Sequence, residues 1–334
     1  MPRKAELALE SSDMRNRSKT WVFAALLFVL PAGILSRVNT AAKEELRAAA
    51  ERAMEGRAGA AVVAKVSTGE LLAAQGMEVA AHRLVRPGST VKPFVLIALL
   101  ESGKLSASQR LLCRRPLQIG GVRMDCAHPS SIVDLNAEEA IAYSCNSYFA
   151  EAATRLSAAE LVQALRRSGF DSPSGLVKEE ASGRIDMPRD REMLQLEALG
   201  DRGIDVTPLE LLGAYRKLAM RKRESVGAAA IEGGASPAPT DDGNKSAAVF
   251  AGLEQSVAYG MAHAANVDGV RIAGKTGTAA SRETARTHGF FVGYAPAERP
   301  EIVVVVYLER GNGADAAGVA RGLFAAAAKN GWAQ

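Results

Sequence analysis

The chain has 334 residues, 48% hydrophobic and 23% charged, and its 41 Lys and Arg against 37 Asp and Glu leave a net charge of +4. That is an ordinary globular composition, with ample interior for one large domain or two small ones. The charge is too small to argue for a nucleic-acid partner, and the sequence shows no basic-aromatic stripe of that kind.

Residues 1–20 form a basic head carrying Arg15, Arg17 and Lys19, and residues 21–35 (WVFAALLFVLPAGIL) contain no charge. This run is shorter than the about 20 residues of a membrane span, and Pro31 interrupts it. Its length suits a secretory signal, although the charged stretch before it is long for one. We read residues 21–36 as an uncleaved signal anchor in a single-pass inner-membrane protein, with the head in the cytoplasm and the remainder outside. Thr40-Ala41-Ala42 leaves a cleaved signal and secretion open, and a buried core helix would leave the basic head unexplained. Residues 43–334 read as the main domain.

Residues 41–55 are rich in Ala, Glu and Arg and predict a helix. Residues 60–66 and 71–74 predict two strands turning at Gly69. Pro87-Gly88 then supplies a tight turn, and residues 91–100 a helix stopped by Ser102-Gly103. Cys113 and Cys126 flank a hairpin turning at Gly120-Gly121. A strict two-residue turn sets these cysteines diagonally, about 7–8 Å apart, and a bulge at Pro116 would narrow the gap. A bridge and two free thiols both remain open, and Cys145 reads as a small buried filler.

Residues 136–155 predict a helical stretch broken near Ser144, and residues 158–167 a helix ending at Gly169. Residues 221–245 read as a polar loop and residues 247–264 as a helix. Strands follow over 270–278, 289–294 and 301–308, the last an unbroken apolar run, and a final helix over 314–328. Strands at both chain ends with helices between predict an α+β fold, an antiparallel sheet covered by helices with a mostly helical lobe. No internal repeat is present.

Three short strings stand out along this order: Ser89-Thr90-Val91-Lys92, Ser144-Cys145-Asn146 and Lys275-Thr276-Gly277-Thr278. By average residue usage a Ser-x-x-Lys or Ser-x-Asn arises roughly once in such a chain and a Lys-Thr-Gly in about one chain in ten, so the information lies in the ordered set. Ser89 falls at a helix start, where free N–H groups favour an oxyanion, and Lys92 is one turn on. A desolvated lysine loses basicity and serves as a neutral general base. Ser144 and Asn146 share a helix break that can face a cleft. Lys275, Thr276 and Thr278 sit on a strand edge suited to a carboxylate, and Gly277 lets a substrate backbone approach closely.

This set resembles that of penicillin-binding proteins and class A β-lactamases. The segments 86–94, 144–149, 203–210 and 289–296 are similar to those around the motifs of the penicillin-binding transpeptidase domain, over nearly all of the main domain. The resemblance implies a peptidoglycan D,D-transpeptidase that binds β-lactams covalently and serves cell-wall synthesis and cell shape. It implies Ser89 as nucleophile, Lys92 as base, Ser144 with Lys275 as the proton route to the leaving group, and Asn146 as orienter of the substrate amide. Thr276, Gly277 and Thr278 would bind substrate, Thr276 and Thr278 holding the terminal carboxylate of a stem peptide, with the N–H groups of Ser89 and Thr278 as oxyanion hole. No cofactor or metal is implied for the reaction, and wall-synthesis proteins are implied as partners.

The sequence departs from larger members in having only one helix's worth of residues before the first strand, which leaves no room for a pedestal or glycosyltransferase domain there. It also carries Arg202-Gly203 where Gln-Gly is frequent. The Glu-x-x-Leu-Asn string of class A β-lactamases is missing and Asn146 replaces the valine of class D, which favours transpeptidase over β-lactamase. A D,D-carboxypeptidase differs only in its acceptor, and a non-enzymatic β-lactam sensor or scaffold would keep the same strings.

Overall fold

The computed structural model describes residues 32–231, 245–281 and 285–333. In chain order the elements are α1 (Ala32–Met54), β1 (Gly59–Lys65), β2 (Leu71–Gln75), α2 (Met77–His82), α3 (Lys92–Glu101), β3 (Leu111–Leu112), β4 (Gln118–Ile119), β5 (Val122–Arg123) and β6 (Asp134–Leu135). They continue with α4 (Ala137–Ala142), α5 (Asn146–Ala153), α6 (Ala158–Ser168), β7 (Arg184–Ile185), α7 (Arg191–Ala198), β8 (Ile204–Asp205), α8 (Pro208–Ile231), α9 (Ala247–Ala258), β9 (Ala273–Ala280), β10 (Thr287–Ala295), β11 (Ile302–Leu308) and α10 (Gly313–Lys329). Most of the expected anchor lies outside the described residues. Among the described ones, no helix is long and apolar enough to cross a membrane.

The expected α+β sheet forms. Its order is β2-β1-β11-β10-β9, all antiparallel, so the first strand in sequence, β1, pairs with the last, β11. Residues alternate between its faces, as the period of two requires. Ala60, Val62, Phe290, Val292, Val303 and Val305 join one core with α3, α5 and α8, while Ala61, Val63, Phe291, Val304 and Val306 join the other with α1 and α10. With helices on both faces, β11 is buried along its whole length, which explains its unbroken apolar run. β9 is left as an edge, where the third motif can face a cleft.

Two boundaries differ from the sequence reading. Residues 221–231 continue α8 instead of forming a loop; their charges lie mainly on exposed or half-buried positions of a helix whose preceding turns are packed. α9 stops at Ala258, and a short 3-10 turn, His263–Ala265, replaces its expected last turn. The hairpin of β4 and β5 pairs Gln118 with Arg123 and turns at Gly120 and Gly121 (φ 54° and 74°), as expected. Both residues take the left-handed conformation that this tight turn needs.

Candidate active site

Ser89 lies in a 3-10 turn, Gly88–Val91, that leads directly into α3. The turn is held from three sides. The Gly88 N–H donates to Gly200 O (3.1 Å), the Thr90 hydroxyl to Pro87 O (2.8 Å), and the buried Tyr215 hydroxyl of α8 to Thr90 O (2.9 Å). Tyr215 in turn packs edge-on against Phe94 of α3, ring centroids 5.3 Å apart. Sequence reasoning missed Tyr215, because only the fold brings it 125 residues back to the turn.

Glycine is required where this turn meets its neighbours. A Cβ on Gly88 (φ 55°) would lie 2.8 Å from Thr278 O and 3.0 Å from Thr278 N, so the turn rests on β9 at the third motif. A Cβ on Gly200 (φ 71°) would lie 2.1 Å from Gly88 O. Gly200→Ala therefore both strains the backbone and displaces the Ser89 turn. We expect it to cost roughly 3 kcal/mol or more in a denaturant-unfolding midpoint. An unchanged midpoint would show that the two loops do not bear on one another.

Lys92 starts α3 with its side chain fully buried. Its ammonium donates to Ser144 O (2.8 Å), Ser144 Oγ (3.3 Å) and Asn146 Oδ1 (2.5 Å), and lies 5.4 Å from the Phe149 ring centroid. The first and second motifs are thus joined through the lysine. Burial pulls the Lys92 pKa down to about 8. Lys275 on β9 is equally buried, donates to Thr276 O (3.2 Å), and is held well below the ordinary lysine value by burial and then by the charge of Lys92.

The second motif occupies the break between α4 and α5. Ser144 has φ 53°, a left-handed conformation uncommon for a residue with a Cβ. That strain turns both its carbonyl and its hydroxyl toward Lys92. The Asn146 amide nitrogen donates to Met124 O (2.9 Å) and Asp125 O (3.3 Å), so its side chain bridges the lysine and the β5 hairpin.

On β9 the Thr278 hydroxyl accepts from the Gly313 N–H at the start of α10 (2.9 Å), which leaves its own O–H free to donate into the cleft. Thr276 is nearly buried. The backbone that Gly277 admits is the protein's own: a Cβ there would lie 2.5 Å from Pro87 O and 2.9 Å from Thr90 Cγ2. The structure brings the three strings together: Lys92 of the first bonds Ser144 and Asn146 of the second, and the Gly88 turn rests on Thr278 of the third. Cys113 and Cys126, left open by the sequence, are free thiols with sulfurs 3.6 Å apart, and Cys145 is buried as expected.

Beside the cleft, Gly203 is retained with φ 77°, where a Cβ would meet Glu197 Oε2 at 2.5 Å, and the divergent Arg202 turns to Asp201. Burial pushes the Glu197 carboxyl up to about 8, so it holds its proton at neutral pH. At the start of α8, Thr207 and Glu210 exchange backbone and side-chain hydrogen bonds, and Glu210 also accepts from the Gly183 N–H (2.6 Å). This reciprocal cap sets the register at which α8 delivers Tyr215.

A serine at a helix start, two buried lysines and a Ser-x-Asn break held to one of them define a candidate serine acyl-transfer site. Residues 59–329 match the model of the penicillin binding protein transpeptidase domain, and the chain belongs to that family. It is 28% identical over 306 residues to the probable peptidoglycan D,D-transpeptidase PenA of Neisseria meningitidis, covering 82% of this chain and 51% of that one. It is 26% identical over 260 residues to stage V sporulation protein D of Bacillus subtilis, covering 68% and 38%. The chain therefore spans about half or less of these relatives. The fold superposes on PBP2 in its complex with MreC from Helicobacter pylori with a TM-score of 0.73 at 20% identity, over 86% of this chain and 63% of that one.

Proposed function

We propose that the protein is a peptidoglycan D,D-transpeptidase that works through an acyl-enzyme on Ser89. The observation that carries this reading is the three-way hold of Lys92 by Ser144 and Asn146, one helical turn from Ser89. A neutral lysine amine keeps two N–H donors and gains a lone pair. It can stay anchored on Ser144 O and Asn146 Oδ1 while accepting the Ser89 proton.

In this scheme Ser89 Oγ attacks the carbonyl carbon between the two terminal D-alanines of a stem peptide, and its proton passes to Lys92. The N–H groups of Ser89 and Thr278 face the developing oxyanion, each such donor being worth about 2.7–4 kcal/mol in other enzymes. The C–N bond then breaks as Ser144 gives its proton to the departing D-alanine amine. Ser144 takes in its place the proton held by Lys92, whose ammonium donates to Ser144 Oγ, so that Lys92 is neutral again; the charge of Lys275 assists. The Thr278 and Thr276 hydroxyls donate to the terminal carboxylate. An amine of a second stem peptide attacks the ester and restores Ser89. β-Lactams would enter by the same attack and remain as stable esters. Anchoring through residues 21–36 would place the reaction outside the cytoplasm, beside wall-synthesis partners of the kind found with the Helicobacter protein.

The test is turnover of a D-alanyl-D-alanine peptide by the purified chain with and without an amine acceptor, alongside labelling by a fluorescent penicillin. Expected are a stable label and an acceptor-dependent cross-linked product. Release of D-alanine to water alone would make the protein a carboxypeptidase, and rapid loss of label a β-lactamase.

A further inference from the structure

Cys113, Cys126, His128 and Cys145 converge beside the second motif, with one donor atom from each lying within 4.8 Å of all the others. His128 and Cys145 are almost wholly buried, Cys126 is buried and Cys113 half-buried. We propose that these four side chains bind a single zinc ion that clamps the β4–β5 hairpin to the loop carrying Ser144 and Asn146. The first three ligands flank that hairpin, and Cys145 is the residue between Ser144 and Asn146.

The spacing fits a tetrahedron. With Zn–S near 2.3 Å and Zn–N near 2.0–2.1 Å, the edges of a tetrahedral site are about 3.8 Å between sulfurs and about 3.6 Å from sulfur to nitrogen. The sulfurs of Cys113 and Cys126 are 3.6 Å apart, those of Cys126 and Cys145 3.7 Å, and Cys113 Sγ is 3.6 Å from His128 Nε2. Small side-chain rotations close the remaining edges. A Cys3His set with no open position is a structural zinc set.

The surroundings suit such a centre. The backbone N–H groups of Ser147 and Tyr148, in the first turn of α5, point at Cys126 Sγ (3.5 Å) and Cys145 Sγ (3.4 Å), and the helix end favours thiolates. His128 Nδ1 lies 3.1 Å from Pro129 O, the backbone partner that a ligating imidazole ordinarily uses to present its other nitrogen. Three thiolates, a neutral imidazole and Zn²⁺ sum to −1. Arg115 supplies the balancing charge, its Nε donating to Cys113 Sγ (3.4 Å) and its Nη2 to His128 O (2.9 Å). Binding would release the three thiol protons.

The site would take no part in bond-making. Its effect on acylation rests on the transpeptidase reading, but metal binding does not. It would fix the carbonyls of Met124 and Asp125, which hold the Asn146 amide, and the strained Ser144 loop that anchors Lys92.

The experiment is metal analysis of the purified full chain, followed by chelation and titration with zinc or cobalt(II). One zinc per chain is expected, and cobalt should give the thiolate charge-transfer and intense visible bands of a tetrahedral sulfur-rich site. Cys113→Ala and His128→Ala should each weaken zinc binding about tenfold or more, while His128→Cys should keep one metal with a shifted cobalt spectrum. Chelation should slow penicillin acylation about tenfold, with recovery on adding zinc. A chain that takes up neither metal, or whose mass is two hydrogens short from a disulfide among these cysteines, would overturn the site. Zinc bound at full stoichiometry with acylation unmoved by chelation would overturn the clamping role alone.

Discussion

Ser89→Ala should abolish the penicillin adduct completely and lower peptide turnover by about 10³-fold or more, to whatever the cleft achieves without a covalent step. The variant should fold normally. The turn around Ser89 is held by Gly88, Thr90 and Tyr215, and among the described residues no hydrogen bond to the Ser89 hydroxyl contributes to it. Losing one hydroxyl at a half-buried position therefore removes the chemistry and little of the stability. The measurements are intact mass after incubation with a β-lactam, together with thermal unfolding of both forms. Persistent acylation of the variant would move the nucleophile elsewhere; Ser144 would then be the residue to replace.

Lys92 gives the second large effect, and it has a sign in pH. Burial holds its pKa at about 8. At pH 7 about one tenth of the enzyme then carries the neutral amine, roughly 200-fold more than at an ordinary lysine value of about 10.4. Because the unprotonated form is the base, the second-order acylation rate should rise about tenfold per pH unit through neutrality and level off above about 8. Lys92→Met should lower the plateau by about 10²–10⁴-fold.

Lys92→Arg separates base from anchor. Its guanidinium retains donors for Ser144 and Asn146 but does not deprotonate, so it should be as slow as the methionine variant. Acylation by the arginine variant within tenfold of the native rate, or a flat native profile, would assign Lys92 to holding the second motif. The proton would then have to go to another base, and Lys275, held well below the ordinary lysine value by burial and then by the charge of Lys92, would be the candidate.

Much of this architecture was legible along the chain because the signals are local. The turn at Gly69 and the apolar run at 302–308 identify strands by pattern alone, and Ser102-Gly103 and Gly169 mark helix ends through backbone preferences that act within one turn. The second half of α8 was not legible. Residues 221–231 read as loop because they begin a polar stretch that runs into Gly233-Gly234 and Pro237-Ala238-Pro239. In the fold they continue packed turns, with Lys222 over the Phe250 ring (5.3 Å) and Arg223 donating to Pro300 O (2.6 Å). At the site, the three strings announced Ser89, Lys92, Ser144, Asn146 and Lys275, since Ser-x-x-Lys and Ser-x-Asn are short-range spacings.

The sequence alone determined the set of chemical groups, the edge position of the third motif and the α+β class, because each depends on neighbours a few residues away. Only the tertiary structure decided that Lys92 is buried and held by the second motif, that Gly200 and Tyr215 brace the Ser89 turn, and that Gly277 makes room for Pro87. It also decided that Cys145 meets Cys113, Cys126 and His128. The reason is physical: pKa depression, close backbone approach and convergence of donor atoms all depend on distances across the fold. Those distances join residues that spacing along the chain does not relate.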